Sequence, residues 1–147
     1  MPFQQVDVSA KPLSNRTASA TGRIKLKRET IALIRKGGAE KGDPVSLASF
    51  TGVMAAKKTP EIVVLCHQLQ LQSTKVDVEL EAEAVRVSAT VTAQEKTGVE
   101  MEALTAVAVA LLNVWDIVKQ YEKDADGQYP TTRIEGIRVT KKVKSSA

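Results

Sequence analysis

The chain has 147 residues, of which 43% are apolar and 26% are charged, and its formal net charge is +4 at pH 7. This length suits one domain with a hydrophobic core, and the balance of apolar and charged residues excludes an intrinsically disordered chain. The charge admits an anionic partner, either a nucleic acid, an acidic lipid or a phosphorylated small molecule, while one cysteine and one histidine exclude an intrachain disulfide and a tetrahedral Cys/His zinc site.

The N-terminal region, residues 1–21, is rich in small and polar residues with little apolar periodicity, which predicts a mobile arm. It shows no basic segment followed by an apolar one, so no secretory signal is visible and we expect a cytoplasmic protein. From Gly22 to Lys27 apolar and basic residues alternate, which is the period of a half-buried strand.

Two helices are expected next. The first begins near Thr30 and ends at a pair of glycines. The second has Asp43 as its N-cap and Pro44 in its first turn, and it runs to about Lys57. We expect its buried side to include Leu47, Phe50 and Met54.

Two further strands follow an apolar segment that ends in Cys66 and His67. The patterns of Val76–Leu80 and Val85–Val91 predict strands that pair as an antiparallel hairpin. A last strand is expected over Arg133–Lys142, after a loop, and residues 143–147 are expected to form a flexible tail.

A long helix is predicted between these strands, from about Val99 to Tyr121. Its longest apolar run, Ala103–Trp115, is shorter than the roughly 20 residues of a bilayer span, so we interpret it as a buried helix and not a membrane anchor. Its main stripe comprises Val99, Ala103, Ala106, Val107, Ala110, Leu111, Val114 and Val118. Because a second face of this helix also avoids water, we expect subunit contacts there.

The predicted order of elements is strand, helices, strand, strand, helix, strand. That βαββαβ order is typical of a ferredoxin-like α+β sandwich, in which the helices cover one face of an antiparallel sheet. We therefore expect residues 1–147 to form a single domain.

Several carboxylates on the long helix could carry chemistry. Thr97 and Glu100 fit a capping box, which favours a structural role for Glu100. Glu102 lies past the first turn, and the residues leave a functional carboxyl and a solvated charge equally open. Asp116 has Lys119 within side-chain reach, and this pair is either a surface ion pair, which the residues slightly favour, or a proton-transfer pair.

Two other segments carry candidates. Lys41 precedes a helix N-terminus, where free amides suit a phosphate, although an exposed loop lysine is the commoner case. Cys66 and His67 are neighbours on an extended segment and point oppositely, so we do not expect them to form a nucleophile and base pair. The histidine is either structural or a donor to a carbonyl or phosphate.

The segment Thr97–Ala106, Thr-Gly-Val-Glu-Met-Glu-Ala-Leu-Thr-Ala, closely resembles the signature helix start of the MoaC family. Further matches lie at Asp7–Lys11, Arg16, Lys41–Asp43, Gly52–Thr59, Leu65–His67 and Trp115–Lys119. Their order and spacing agree with the family over nearly the whole chain. Where the family usually has prolines around its Leu-Cys-His segment this chain has Val64 and Gln68, and its tail lacks the family's glycines.

This resemblance implies the ferredoxin-like fold and a homohexamer built as a trimer of dimers, with active sites at dimer interfaces. It implies a lyase of molybdenum cofactor biosynthesis that converts 3′,8-cyclo-7,8-dihydro-GTP to cyclic pyranopterin monophosphate and releases pyrophosphate. It also implies no resident cofactor, with Mg²⁺ only as a companion of the substrate triphosphate, and neither a nucleic-acid nor a membrane partner.

The resemblance also implies roles for particular residues. Asp116 and Lys119 are expected to carry acid/base steps, and Lys41 to meet the triphosphate or developing charge. The residues expected to hold the substrate are Leu65, Cys66, His67, Met101 and Glu102, with Arg16 as a phosphate contact from the arm. We further hypothesise that Lys41 of one chain works with Asp116 of its neighbour.

Two alternatives to this enzyme remain open from the sequence. One is a basic ferredoxin-like nucleic-acid-binding module, although such modules usually stack bases on sheet aromatics and residues 76–91 contain none. The other is a family member that assembles or binds without catalysis.

Overall fold

The computed structural model describes all 147 residues. Its elements are β1 (Ser14–Lys25), α1 (Arg28–Arg35), α2 (Pro44–Lys57), α3 (Thr59–Ile62), β2 (Leu71–Leu80), β3 (Ala84–Glu95), α4 (Glu100–Glu122) and β4 (Arg133–Ser146). The strands form one antiparallel sheet in the order β2-β3-β1-β4. This arrangement confirms the ferredoxin-like α+β sandwich that the sequence predicts.

The core lies between the sheet and the two longest helices, α2 and α4. Every residue of the predicted α4 stripe is fully buried, from Val99 at its start to Val118 near its end. By length and composition α4 could also cross a membrane, but its apolar stripe packs in the core of this fold. The sheet thus covers the face of α4 that the sequence pattern identifies.

Strand β1 is longer than predicted and lies near the middle of the sheet, between β3 and β4. It begins at Ser14 and not at Gly22, so the arm expected over residues 1–21 is limited to residues 1–13. The buried positions next to α4 are the small residues Ala18 and Ala20, and polar residues alternate with them. Small residues on the inward face give a weak hydropathy contrast, which hides the strand from periodicity.

The C-terminus also belongs to the sheet. Residues 143–147 were expected to be a flexible tail, but β4 continues to Ser146, with Val143 opposite Thr17 and Lys144 opposite Arg16. This end of β4 is exposed throughout, so its lysines give no apolar alternation that a pattern could detect.

Helix α2 buries a different face from the one predicted. Phe50 is 68% exposed and Met54 38% exposed, and only Leu47 of the three expected residues is partly buried. The buried side consists of small residues: Ala48, Thr51, Gly52, Ala55 and Ala56. The packing is close, since a Cβ on Gly52 would stand 3.0 Å from Val76 Cγ2 and 3.3 Å from a backbone oxygen of α4. Small residues therefore face inward, and the large apolar ones are left on the surface.

Candidate functional site

A cleft of about 410 Å³ lies at the N-terminal end of α4. Its walls come from the start of that helix, from the Leu65–Leu69 segment and from the N-terminal arm. Five residues predicted to hold a substrate line it together: Leu65, Cys66, His67, Met101 and Glu102. The fold thus brings two distant segments of the chain into one concave surface.

Glu102 is the most buried ionisable group of this cleft, with 3% of its surface exposed. No lysine or arginine forms a salt bridge with it. Burial raises the pKa of the Glu102 carboxyl above its usual 4.5, and the nearby Glu100 carboxylate raises it further. The carboxyl therefore retains its proton to a higher pH than an exposed glutamate does.

The start of α4 departs from the predicted capping box. Val99 is the N-cap residue, and no side chain caps this end of the helix. The Glu100 carboxylate instead lies 3.6 Å from Lys142 Nζ on β4 and lines the cleft. The expected structural role of Glu100 as a cap is therefore wrong, and its carboxylate is one that the sequence analysis did not place in the site.

The N-terminal arm forms one wall of the cleft. His67 donates from Nε2 to the Val6 carbonyl at 2.6 Å, and Gln5 Nε2 donates to the Cys66 carbonyl at 3.0 Å. Lys96 Nζ donates to the Ser9 carbonyl at 3.1 Å. These bonds hold the arm against the site, so Val6, Val8 and Lys11 become lining residues. Only the family match at Asp7–Lys11 signals this in the sequence.

The structure shows no hydrogen bond between Cys66 and His67, which agrees with the expectation that they do not form a nucleophile and base pair. The His67 ring is bonded to a carbonyl of the arm. Burial, with a smaller effect from Glu102, raises the pKa of the Cys66 thiol above 9.0, which disfavours the thiolate.

A second group of predicted residues meets near the other end of α4. Asp116 Oδ1 lies 3.1 Å from Lys119 Nζ, and its Oδ2 lies 3.3 Å from Lys41 Nζ. Lys41 also donates to the Asp116 backbone carbonyl at 3.1 Å. The hydrogen bond from Lys119, and to a lesser extent the one from Lys41, lowers the pKa of the exposed Asp116 carboxyl below 3.8, so this group is ionised at neutral pH.

The contact between Lys41 and Asp116 is made within one chain. The α1–α2 loop reaches back to α4 of its own chain, so the structure favours a pair within one chain over the hypothesised pair from neighbouring chains. The sequence could not show this, since the loop and the helix are far apart along the chain.

Asp43 caps α2 as predicted, and this changes the expectation for the adjacent loop. Its carboxylate accepts hydrogen bonds from the Val45 and Ser46 amides at 3.1 and 3.2 Å. These two amides are thus already occupied by a carboxylate, which makes the helix N-terminus a poorer phosphate site than the sequence suggests.

Arg16 lies on β1 and not on the arm from which it was expected to act. It is 6% exposed and donates to the backbone carbonyls of Glu95 and Lys96 at 3.4 and 3.3 Å. These bonds brace the segment that leads into α4. A phosphate contact by Arg16 stays a prediction.

Apart from Arg16, the predicted site residues therefore form two separate groups, one towards each end of α4. An α-helix rises about 1.5 Å per residue, so Glu102 and Asp116 lie about 21 Å apart along α4. The cleft group contains a protonatable, buried carboxyl, and the second group contains an exposed carboxylate between two ammonium groups. Chemically, the first suits an uncharged ring system and the second suits proton transfer beside phosphate.

Comparison with known proteins points to one family. The sequence model of the MoaC family matches residues 5–145. A protein of Sulfurisphaera tokodaii named probable cyclic pyranopterin monophosphate synthase is 51% identical over 140 residues, covering 95% of this chain and 93% of the relative. A protein of the same name from Thermococcus kodakarensis is 50% identical over 141 residues, covering 96% and 90%. A Methanothermobacter thermautotrophicus protein, 49% identical over 96% of this chain and 89% of its own length, is named a probable accessory protein of that synthase.

Proposed function

This chain belongs to the MoaC family, and we propose that it is a cyclic pyranopterin monophosphate synthase of molybdenum cofactor biosynthesis. Its substrate in this proposal is 3′,8-cyclo-7,8-dihydro-GTP, and its products are cyclic pyranopterin monophosphate and pyrophosphate, which makes it a lyase. The observation that carries the proposal is the pair of residue groups on α4, each built from segments that match the family.

The second group of residues, Asp116 with Lys119 and Lys41 (the Asp116 group), supplies a proton acceptor and positive charge for pyrophosphate release. A hydroxyl that attacks the α-phosphorus loses a proton, and the bond to the leaving pyrophosphate breaks. Asp116 is ionised at neutral pH, so in the free enzyme it is a proton acceptor, and Lys119 is a proton donor beside it. Lys41 adds a second ammonium group that stabilises charge developing on phosphate.

The cleft supplies a place for the ring system of the substrate. Leu65 and Met101 provide apolar walls, and Glu102 provides a carboxyl that hydrogen-bonds ring nitrogens. No resident cofactor takes part in this proposal, and any Mg²⁺ enters with the triphosphate of the substrate. The proposed compartment is the cytoplasm.

We propose that each complete site combines the cleft of one chain with the Asp116 group of another. The distance between the two groups along α4 supports this, as do the exposed apolar side chains of Phe50 on α2 and Leu112 on α4. The proposed assembly is the family's homohexamer, a trimer of dimers. Two chains related by a two-fold axis then share two identical sites.

The decisive experiment is incubation of the purified oligomer with 3′,8-cyclo-7,8-dihydro-GTP. We expect pyrophosphate and a cyclic phosphate pterin precursor in equal amounts. Neither product from a folded oligomer would contradict the enzyme and favour a member that only assembles or binds. A nucleic-acid module is disfavoured, because no aromatic residue lies on any strand of the sheet.

The shared site has its own test. Glu102→Gln and Asp116→Asn chains are unfolded together in equal amounts and reassembled, so that half of the dimers are mixed. Each mixed dimer then has one intact site, so at a substrate concentration well below the KM of Glu102→Gln, roughly a quarter of the wild-type activity returns.

The matched control mixes Lys41→Ala with Asp116→Asn. Because Lys41 and Asp116 meet within one chain, neither site of a mixed dimer is intact and no activity returns. Recovery in the control mixture would mean that Lys41 and Asp116 of different chains work together, which would contradict their pairing within one chain. No recovery in the first mixture despite confirmed mixed dimers would contradict the shared site.

A further inference from the structure

We propose that Tyr121 is a positioning residue that holds the Lys41 loop, residues 36–43, against the last turns of α4. The Tyr121 hydroxyl accepts a hydrogen bond from the Glu40 backbone amide at 2.9 Å. Glu40 precedes Lys41, whose ammonium group reaches Asp116. This inference rests on the proposed function, since it concerns how Lys41 is delivered to the Asp116 group.

The Lys41 loop has little internal structure that could fix its lysine. Gly37 and Gly42 have φ values of 69° and 125°, and a Cβ at either position would meet nothing within 4 Å. One backbone bond closes the turn around Lys41, from the Gly42 amide to the Ala39 carbonyl at 3.2 Å. The Glu40 amide takes no part in that bond, and Tyr121 is its acceptor.

Contacts with α4 supply the restraint that the loop lacks. Gln120 Nε2 donates to Glu40 Oε2 at 3.3 Å, but this bond joins two exposed, flexible side chains. The Tyr121 ring, in contrast, packs against the hydrophobic core, and its hydroxyl bonds the loop backbone directly. A rigid ring loses little entropy when it orders a partner, so Tyr121 is the stronger anchor.

The anchor matters because a lysine side chain is long and flexible. Lys41 donates to both the carbonyl and the carboxylate of Asp116, and this arrangement requires the loop backbone to stay close to α4. Release of the Glu40 amide lets the loop move away, so the fraction of molecules with Lys41 in place decreases. Turnover then decreases with that fraction, while the cleft at the other end of α4 is unaffected.

The test compares Tyr121→Phe with Tyr129→Phe. Both variants lose a hydroxyl and keep the ring, but the Tyr129 ring packs edge-on against Trp115 and its hydroxyl makes no hydrogen bond in the structure. Two measurements are made on the intact oligomer: hydrogen exchange of the amides in residues 36–43 by mass spectrometry, and kcat and KM with the cyclic dihydro-GTP.

For Tyr121→Phe we expect faster exchange at the Glu40 amide and a kcat about five-fold lower, the effect of one hydrogen bond, with KM and Tm nearly unchanged. Tyr129→Phe should match wild type in both measurements. Unchanged exchange in Tyr121→Phe, faster exchange with unaltered kcat, or equal effects in both variants would overturn the inference. If wild type lacks synthase activity, the proposed function fails, and the exchange measurement still decides whether Tyr121 holds the loop.

Discussion

The two ends of α4 place carboxyl groups in opposite electrostatic environments. Glu102 at the start of the helix is 3% exposed, and burial raises its pKa. The Asp116 side chain near the other end is 59% exposed, and two ammonium groups lower its pKa. One helix therefore carries one carboxyl group with a raised pKa and one with a lowered pKa. Burial sets the first pKa, and neighbouring ammonium groups set the second.

Two carboxyl groups near the C-terminal end of α4 differ in how much they contribute to the stability of the fold. Exposed ion pairs such as those of Asp116 contribute little to the free energy of unfolding. Two turns further on, Glu122 is fully buried and accepts hydrogen bonds from the Thr30 and Thr132 hydroxyls and the Lys27 amide. Neighbouring turns of α4 thus hold a carboxylate suited to proton transfer and one that holds the fold together.

The largest effect is expected for Asp116→Asn. The amide keeps the shape of the side chain but cannot accept the proton, so turnover should decrease about 10³-fold while Tm stays nearly constant. Pyrophosphate release and thermal unfolding measure the two quantities. Asp77→Asn, which also breaks an exposed ion pair, is the control and should retain full activity. Activity of Asp116→Asn within a few-fold of wild type would make Asp116 an ordinary ion-pair residue.

Glu122→Ala should produce the largest loss of stability at this end of the helix. It leaves two buried hydroxyls and a backbone amide without their acceptor, which costs about 3 kcal/mol and lowers Tm by about 10 °C. Glu29→Ala, at an exposed glutamate of α1, is the control and should change Tm little. Equal Tm values for the two variants in calorimetry would show that the Glu122 bonds add no stability.

Glu102→Gln should have a smaller effect on stability, with the opposite sign. Because the folded-state pKa is raised, ionisation of Glu102 disfavours folding above that pKa and has no effect below the ordinary value of about 4.5. The glutamine variant should therefore unfold at a Tm about 3 °C higher at pH 8, a gain of roughly 1 kcal/mol, and match wild type at pH 4.

The same variant tests whether this end of α4 holds the substrate. We expect its KM to rise, since the amide presents a different hydrogen-bonding group to the ring system. For the stability prediction, a Tm difference between Glu102→Gln and wild type that grows as the pH falls would contradict the assignment of a raised pKa to Glu102.

Strong patterns in the sequence predict the layers of the fold well. The stripe from Val99 to Val118 is confirmed because large apolar side chains recur at helical spacing. The first half of β1 was missed and the inward face of α2 was misassigned, because their buried positions are mostly small or polar residues, which show little hydropathy contrast. Phe50 was wrongly expected to be buried. The closely packed pair of α2 and α4 leaves room only for small side chains between the helices, so this large one lies on the surface.

The candidate site was predictable as a set of residues but not as a geometry. Family motifs identify Lys41, His67 and Asp116, yet only tertiary contacts show that Lys41 meets Asp116 within one chain. The arm contacts of His67 and the Tyr121 bond to the loop were also unpredictable, because each joins residues far apart in sequence. Sequence patterns report local periodicity, and these contacts depend on how the elements pack.

The smallest predicted effect concerns the pKa of Asp116 itself. Lys119 and Lys41 both lower it, and Lys119 contributes more, at 3.1 Å against 3.3 Å from the carboxylate oxygens. Lys119→Met should therefore raise the Asp116 pKa toward 3.8 by more than Lys41→Met does, as measured by carboxyl NMR titration. Asp43 is the internal control, because the Ser46 side chain and not a lysine is the main cause of its lowered pKa.

Stabilisation from the contacts of Asp116 with Lys119 and Lys41 is present above the ordinary Asp pKa and is lost as the pH falls through the lowered value, so both variants should lose less stability than wild type on acidification. An Asp116 pKa that neither substitution moves would mean that the two ammonium groups do not set the charge at this end of α4, and the contrast with Glu102 would then reflect burial alone.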